Sequence, residues 1–121
     1  MTIRTFLVAL TLMTIPLYAG DRLALSVSPA VSFAPADLIV RARIEADPQN
    51  RWMRIAAESD DFSRASEIQL EGDKAPRLNV FEFRSLPSGS YQVTATLLGA
   101  DGHQRASRHT LVNVLSSGFG R

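Results

Sequence analysis

Residues 86–98 read LPSGSYQVTATLL, and this stretch decides the fold of the chain. Pro87 and Gly89 supply the backbone geometry of a tight turn. After the turn, apolar side chains alternate with polar ones between Tyr91 and Leu97. A period of two is typical of an antiparallel strand with one buried face and one solvated face. The stretch therefore predicts a turn that leads into a half-buried strand, whose outward face carries Gln92, Thr94 and Thr96.

The rest of the chain repeats this pattern of short strands between turns. Turn signals recur every 8 to 12 residues, and no amphipathic helix of useful length follows the N-terminal segment. Besides the strand in 86–98, strands are predicted over residues 22–27, 37–45, 51–59, 66–70, 77–84 and 105–115. Pro29 lacks a backbone donor and suits either an edge strand or a break between two half-strands, in which case pairing resumes over 30–33. The spacing favours an all-β antiparallel sandwich of about seven strands, with a small closed barrel as the alternative.

The predicted strand 77–84 has two competing apolar phases. Leu78 and Val80 fall on one face, while Phe81 and Phe83 fall on the other. A change of phase within a strand is typical of a β-bulge, in which one extra residue shifts the alternation. A bulge near Val80 and Phe81 is therefore predicted.

The turn and strand in 86–98 resemble a signature of bacterial immunoglobulin-like and fibronectin-III-like domains. The matching residues are Leu86, Pro87, Gly89, Tyr91 and Val93. A similar pattern occurs in transthyretin-like, carboxypeptidase-regulatory modules, which are the second choice. The resemblance implies an immunoglobulin-like sandwich, with the Tyr91 hydroxyl bonded back toward residues 86–87 as a structural corner. It also implies a binding, spacer or assembly module.

The N-terminal segment has the features of a secretory signal peptide. One positive charge, Arg4, precedes 13 mostly apolar residues from Thr5 to Leu17, and Ala19 provides a small residue for cleavage. A bilayer span needs about 20 apolar residues, so this run is too short for one. The sequence predicts a signal peptide over 1–19, a sandwich domain over 20–115 and a flexible tail over 116–121. It predicts an exported protein, periplasmic or extracellular, with no stable membrane insertion after cleavage.

Composition bears on several classes of function. Cleavage would remove Arg4 and leave 12 basic and 12 acidic residues. A neutral domain has no overall electrostatic attraction to nucleic acid or anionic membrane, so nucleic-acid binding is disfavoured. The chain contains no cysteine, which excludes disulfides, thiolate-bound zinc and a thiol nucleophile.

Residue types able to bind a metal or catalyse a reaction are present but poorly spaced. If the chain from His103 to His109 is extended, these two histidines lie about 20 Å apart and cannot share an ion. Asp60 and Asp61 lack the spacing of a calcium loop. No nucleophile elbow, phosphate loop or zinc-protease motif occurs. We therefore predict no metal, no cofactor and no catalytic residues.

Trp52 is the side chain most suggestive of a binding role. Met53, Ile55 and Ala57 form the stronger apolar phase of their strand, so Trp52 is predicted to point outward and to be partly covered. The alternative is a core tryptophan at the centre of the sandwich. If Trp52 points outward, it forms a possible interaction patch with Arg54, Gln92, Thr94 and Thr96. A patch centred on an aromatic residue suits a glycan or protein partner.

Arg41 and Arg43 lie on the polar face of the predicted strand 37–45. The second and third strands of a sandwich usually belong to different sheets. We therefore expect these arginines on the outer face opposite Trp52, where solvation is the simplest interpretation.

The sequence as a whole favours a non-catalytic exported module that binds a protein or a surface polymer. The alternative is a structural envelope subunit that self-associates, for example by strand addition at the broken first strand. A small sugar-binding or hydrolytic domain is a minor third possibility. The sequence does not identify the partner.

Overall fold

A computed structural model describes residues 22–117. The predicted signal peptide, residues 1–19, lies outside this range, as do residues 118–121 of the predicted tail. Among the described residues, no helix is long and apolar enough to cross a membrane.

Eight strands make up almost all of the regular structure in residues 22–117. They are β1 (Leu23–Ser28), β2 (Val31–Phe33), β3 (Ala36–Ile44), β4 (Trp52–Glu58), β5 (Ser63–Gln69), β6 (Leu78–Leu86), β7 (Gly89–Leu98) and β8 (Gln104–Leu115). A 3-10 turn, Gly72–Lys74, lies between β5 and β6. Strand β5 begins three residues earlier than predicted.

The strands form two sheets, which confirms the all-β prediction. A three-stranded sheet has the order β1-β3-β6, and a five-stranded sheet has the order β2-β8-β7-β4-β5. The break predicted at Pro29 separates β1 from β2, and these two segments join different sheets. The count is eight rather than about seven because this first strand is divided.

One pairing departs from the predicted antiparallel arrangement. Strand β2 runs parallel to β8, with Val31 beside Asn113 and Phe33 beside Leu115. The strand changes sheets after Pro29, and its new neighbour β8 happens to run in the same direction. The five-stranded sheet is therefore mixed, which corrects the purely antiparallel prediction.

The core lies between the two sheets and comes from alternate residues of each strand. The inward positions of β7 are Tyr91, Val93, Ala95 and Leu97, and all of them are buried. The predicted core phase of β4, residues Met53, Ile55 and Ala57, is also fully buried. Alternation along each strand thus separates core side chains from surface side chains.

The bulge in β6 lies elsewhere than predicted. Pairing with β3 is regular through Val80 and Phe81, and the register shifts only between Phe83 and Leu86. Phe81, Phe83 and Leu86 all face the core, although 83 and 86 are an odd number of residues apart. An extra residue must be accommodated between them, and Ser85 takes a left-handed conformation there, with φ of 60°. Leu78 and Val80 face outward.

Candidate functional site

The Tyr91 side chain connects the turn at 87–89 to the core. Tyr91 is fully buried, and its hydroxyl donates a hydrogen bond of 2.7 Å to the Pro87 carbonyl oxygen. The Phe62 ring packs edge-on against it, with ring centroids 6.5 Å apart. At Gly89, an added Cβ would lie 3.2 Å from the Ser59 Cβ, so glycine permits the close approach of two loops. These contacts are structural: Leu86 and Tyr91 are buried, Gly89 is half-buried, and Pro87 stays at the surface.

The predicted patch lies on the outer face of the five-stranded sheet. Trp52 points outward with 37% of its surface exposed, beside Leu98 of the neighbouring strand. Arg54 lies opposite Thr96 in the next outward row. Thr94 and Gln92 continue along β7, opposite Ala56 and Glu58. The five predicted residues thus share one band along β4 and β7.

This band is long and mostly polar. Trp52 lies at one end of it and Gln92 at the other, about 20 Å apart at the rise of a β-strand. Only Trp52 contributes a large apolar surface, so the band by itself resembles the polar rim of an interface more than its centre.

Gln92 connects this band to a second feature that sequence reasoning missed. Its partner on β8 is Leu111, which is 64% exposed. Farther along the same outer face lie Leu115, 45% exposed, and the β2 residues Val31 and Phe33, 57% and 62% exposed. We call Val31, Phe33, Leu111 and Leu115 the apolar edge cluster.

Local pairing places the cluster at the free edge of the sheet. Strand β2 is the edge strand, and among residues 22–117 no strand pairs with its other side. Asn113 lies between Leu111 and Leu115 on β8, and the Ser90 hydroxyl donates to its side-chain oxygen at 3.1 Å. The polar group within the cluster thus has a partner, and the apolar side chains around it remain accessible.

A sequence signal for this cluster existed in β8. Residues Leu111, Val112, Val114 and Leu115 are apolar in both phases of the alternation. A strand with two apolar faces is typical of burial on both sides. The structure buries Val112 and Val114 and leaves the other two exposed.

The two histidines and the loop carboxylates Asp60 and Asp61 are all exposed in the described part of the chain. His103 Nδ1 lies 2.8 Å from Asp101 Oδ2 in an exposed turn, and His109 lies on the outer face opposite Thr94. The His103 backbone amide and then its side chain lower the pKa of the Asp101 carboxyl. Asp60 is an exposed loop residue. Within residues 22–117, no group of three potential ligands could hold a metal ion.

A small polar cavity lies beneath the turn between β3 and β4. Asn50 is almost fully buried and donates to the Glu45 carbonyl oxygen at 2.9 Å. Arg105 binds Asp47 at 2.8 Å beside it. The cavity volume is about 30 Å³, which is the share of one water molecule in the liquid. Two buried atoms of its lining residues, Asn50 Oδ1 and Arg105 Nε, have no hydrogen-bond partner among the described residues, and a substrate would not fit in this volume.

No family model matches this chain, and no curated protein matches it. Among solved structures, the superoxide reductase (neelaredoxin) from Ignicoccus hospitalis aligns with a TM-score of 0.57 at 13% identity, over 78% of this chain and 80% of the reductase. A substituted form of that reductase aligns with a TM-score of 0.58 at 12% identity, over 85% of this chain and 86% of the other.

A family 76 glycoside hydrolase from a bovine Bacteroides thetaiotaomicron strain aligns with a TM-score of 0.55 at 18% identity. The match covers 76% of this chain but only 20% of the hydrolase. At such identities these likenesses concern the fold alone.

Proposed function

We propose that this chain is an exported, non-catalytic β-sandwich module that binds a protein partner through the outer face of its five-stranded sheet. The apolar edge cluster is the observation that carries the proposal. Four large apolar side chains share one corner of one face, and each is at least 45% exposed. Contiguous exposed apolar surface of this kind marks sites of protein interaction.

Energetics favour a protein over a polar polymer as the occupant. Complete burial of one Leu or Phe side chain contributes about 1.5–3 kcal/mol. Covering Phe33 and Leu111 would therefore contribute a few kcal/mol at the centre of an interface. The adjacent band from Gln92 to Trp52 supplies hydrogen-bonding groups for the rim. A hydrated polysaccharide has less apolar surface with which to cover the cluster.

We further propose that the sandwich is of the immunoglobulin-like or fibronectin-III-like type. The first strand divided between two sheets and the hydrogen bond from Tyr91 to Pro87 support this assignment. Domains of this type have many different roles, so the binding proposal depends on the surface and not on the fold.

Photo-crosslinking in extracts of the source cell's envelope tests the proposal. A photoreactive residue at Ser90, at the margin of the cluster, should crosslink one discrete protein. The double variant Phe33→Ser, Leu111→Ser should abolish this product, because both side chains are exposed and their loss removes contact area with little effect on the core. Val80→Ser is the matched control, because it also replaces an exposed apolar side chain by serine but lies on the other sheet. This variant should retain the crosslinked product. Retention of the product by the double variant would refute the proposal.

Self-association is the second candidate, and the free edge of β2 favours it. This edge offers unpaired backbone groups next to exposed apolar side chains, which is the arrangement that accepts an added strand. Light scattering should then show a dimer that the Phe33→Ser, Leu111→Ser variant converts to monomer. A monomer across a wide range of concentrations excludes this candidate.

A further inference from the structure

The outer face of the three-stranded sheet carries a second surface feature, separate from the apolar edge cluster. Arg43 lies between Ala24 of β1 and Leu78 of β6, and Arg41 lies beside Ser26 in the next outward row. The side chains on β1 are small, so the sheet forms an open depression of about 280 Å³ over the two arginines. We call this depression, lined by Ala24, Ser26, Arg41, Arg43 and Leu78, the arginine groove.

The positive charge in this groove is not neutralised locally. Among residues 22–117, no carboxylate forms an ion pair with Arg41 or Arg43. The Arg41 guanidinium donates only a long hydrogen bond of 3.4 Å to the Ser28 hydroxyl, and the Arg43 guanidinium donates none to any other residue that the structure describes. Elsewhere the same side chain is paired, as in Arg105 with Asp47 at 2.8 Å. The two unpaired guanidinium groups therefore form a site of positive potential in a concave surface.

The spacing of the two arginines indicates the shape of an anionic ligand. They are two residues apart on one strand, which separates their Cα atoms by about 6.7 Å. An extended peptide repeats its own side chains on one face at the same distance. Carboxylates at alternate positions of such a peptide would each meet one guanidinium, which can bind a carboxylate through two parallel hydrogen bonds. Leu78, which is also exposed, offers an apolar wall for the methylene groups of glutamate.

We propose that the arginine groove binds an extended acidic peptide segment of a partner protein, with Asp or Glu at alternate positions. Charge complementarity and matching repeat distances carry this assignment. The site lies on the opposite face from the apolar edge cluster and does not depend on the function proposed for that cluster. A chain with both sites could contact two partners or two parts of one partner.

Fluorescence anisotropy with a labelled synthetic peptide tests the site. The probe is acetyl-Gly-Leu-Glu-Val-Glu-Leu-Gly-amide, and the control peptide carries Gln in place of Glu. We expect the acidic peptide to bind the purified protein and the control peptide not to bind detectably. Arg43→Gln and Arg41→Gln should each weaken binding about threefold to fivefold, since an exposed charge pair contributes at most about 1 kcal/mol. Raising NaCl from 150 to 500 mM should also weaken it, because salt screens exposed charges.

Arg51→Gln is the matched control variant, because it removes the same charge from an exposed position outside the groove; it should bind the acidic peptide like the unaltered protein. All three arginines are exposed, so circular dichroism should show the same fold in every variant.

Equal binding by the Arg41→Gln, Arg43→Gln double variant would overturn the proposal. Polygalacturonate is the competing ligand in the same assay. If it displaces the peptide, binds more tightly than the peptide, and loses this binding in the double variant, the occupant of the groove is not a peptide. The crosslinking experiment on the cluster has a separate readout, so failure of either proposal can be recognised by itself.

Discussion

Tyr91 combines a large buried ring with a polar group that must find a partner. An unsatisfied hydroxyl in the core costs about 1–3 kcal/mol, so the position tolerates tyrosine only because the Pro87 carbonyl accepts its hydrogen bond. The same bond holds the turn at 87–89 against the start of β7. One side chain thereby fixes both a core contact and the geometry of a loop.

The variant Tyr91→Phe tests this double role. It keeps the ring and removes the hydroxyl, which leaves the Pro87 carbonyl without this donor. We expect the free energy of unfolding to fall by about 1–2 kcal/mol, measured by urea denaturation. An unchanged value would mean that the hydrogen bond to Pro87 contributes nothing net to stability.

Strand β6 shows how an element resolves conflicting apolar phases. The core receives Phe81 and Phe83 in one phase and Leu86 in the other, and the bulge between them makes this possible. The bulge places Ser85 in the left-handed region, with its backbone amide donating to Asp37 Oδ1 at 2.9 Å. A left-handed conformation costs a non-glycine residue roughly 1–2 kcal/mol.

Replacing Ser85 by glycine should therefore stabilise the protein. Glycine adopts a positive φ without steric penalty, although its greater freedom in the unfolded chain offsets part of the gain. We expect Ser85→Gly to raise the free energy of unfolding by about 0.5–1 kcal/mol. Ser88→Gly, at an exposed turn position without positive φ, is the control and should lower it. A loss of stability in Ser85→Gly would show that the bulge carries no relievable strain.

At the scale of the whole molecule, the two sheets are joined at each flank by a hydrogen bond from an arginine side chain to a backbone carbonyl. On one flank, Arg108 Nε of β8 donates to the Leu23 carbonyl of β1 at 3.1 Å. On the other, Arg64 Nη1 of β5 donates to the Arg84 carbonyl of β6. The Arg64 guanidinium also lies 5.1 Å from the centroid of the Phe62 ring. Each arginine therefore ties an edge of one sheet to the backbone of the other.

The variant Arg64→Met tests the contribution of one flank. Methionine keeps an unbranched apolar stem and removes the hydrogen bond and the contact with the Phe62 ring. We expect a loss of about 0.5–1.5 kcal/mol in urea denaturation, because the site is exposed to solvent. Arg54→Met on the outer face of β4 should change stability by less than about 0.5 kcal/mol. Equal effects of the two variants would contradict a role for Arg64 in joining the sheets.

Local alternation was sufficient to predict the strands and most of their inward faces. Met53, Ile55 and Ala57 were placed in the core from their phase alone, and so was the inward face of β7. Turn residues such as Pro87 and Gly89 marked where one strand ends and the next begins. These features could be predicted because strand period and turn geometry depend on residues close together in the chain.

Pairing between distant strands was decided only by the tertiary structure. The alternation within β2 and β8 does not say that Val31 and Phe33 lie beside Leu115, and the parallel register creates the apolar edge cluster. In the same way, only the order β1-β3-β6 shows that Arg43 has a small neighbour on one side and a leucine on the other. The sequence by itself determined that this chain forms strands with one apolar face, because that pattern is local. Which outward side chains meet depends on registers between segments far apart in the chain, which the complete packing of the core selects.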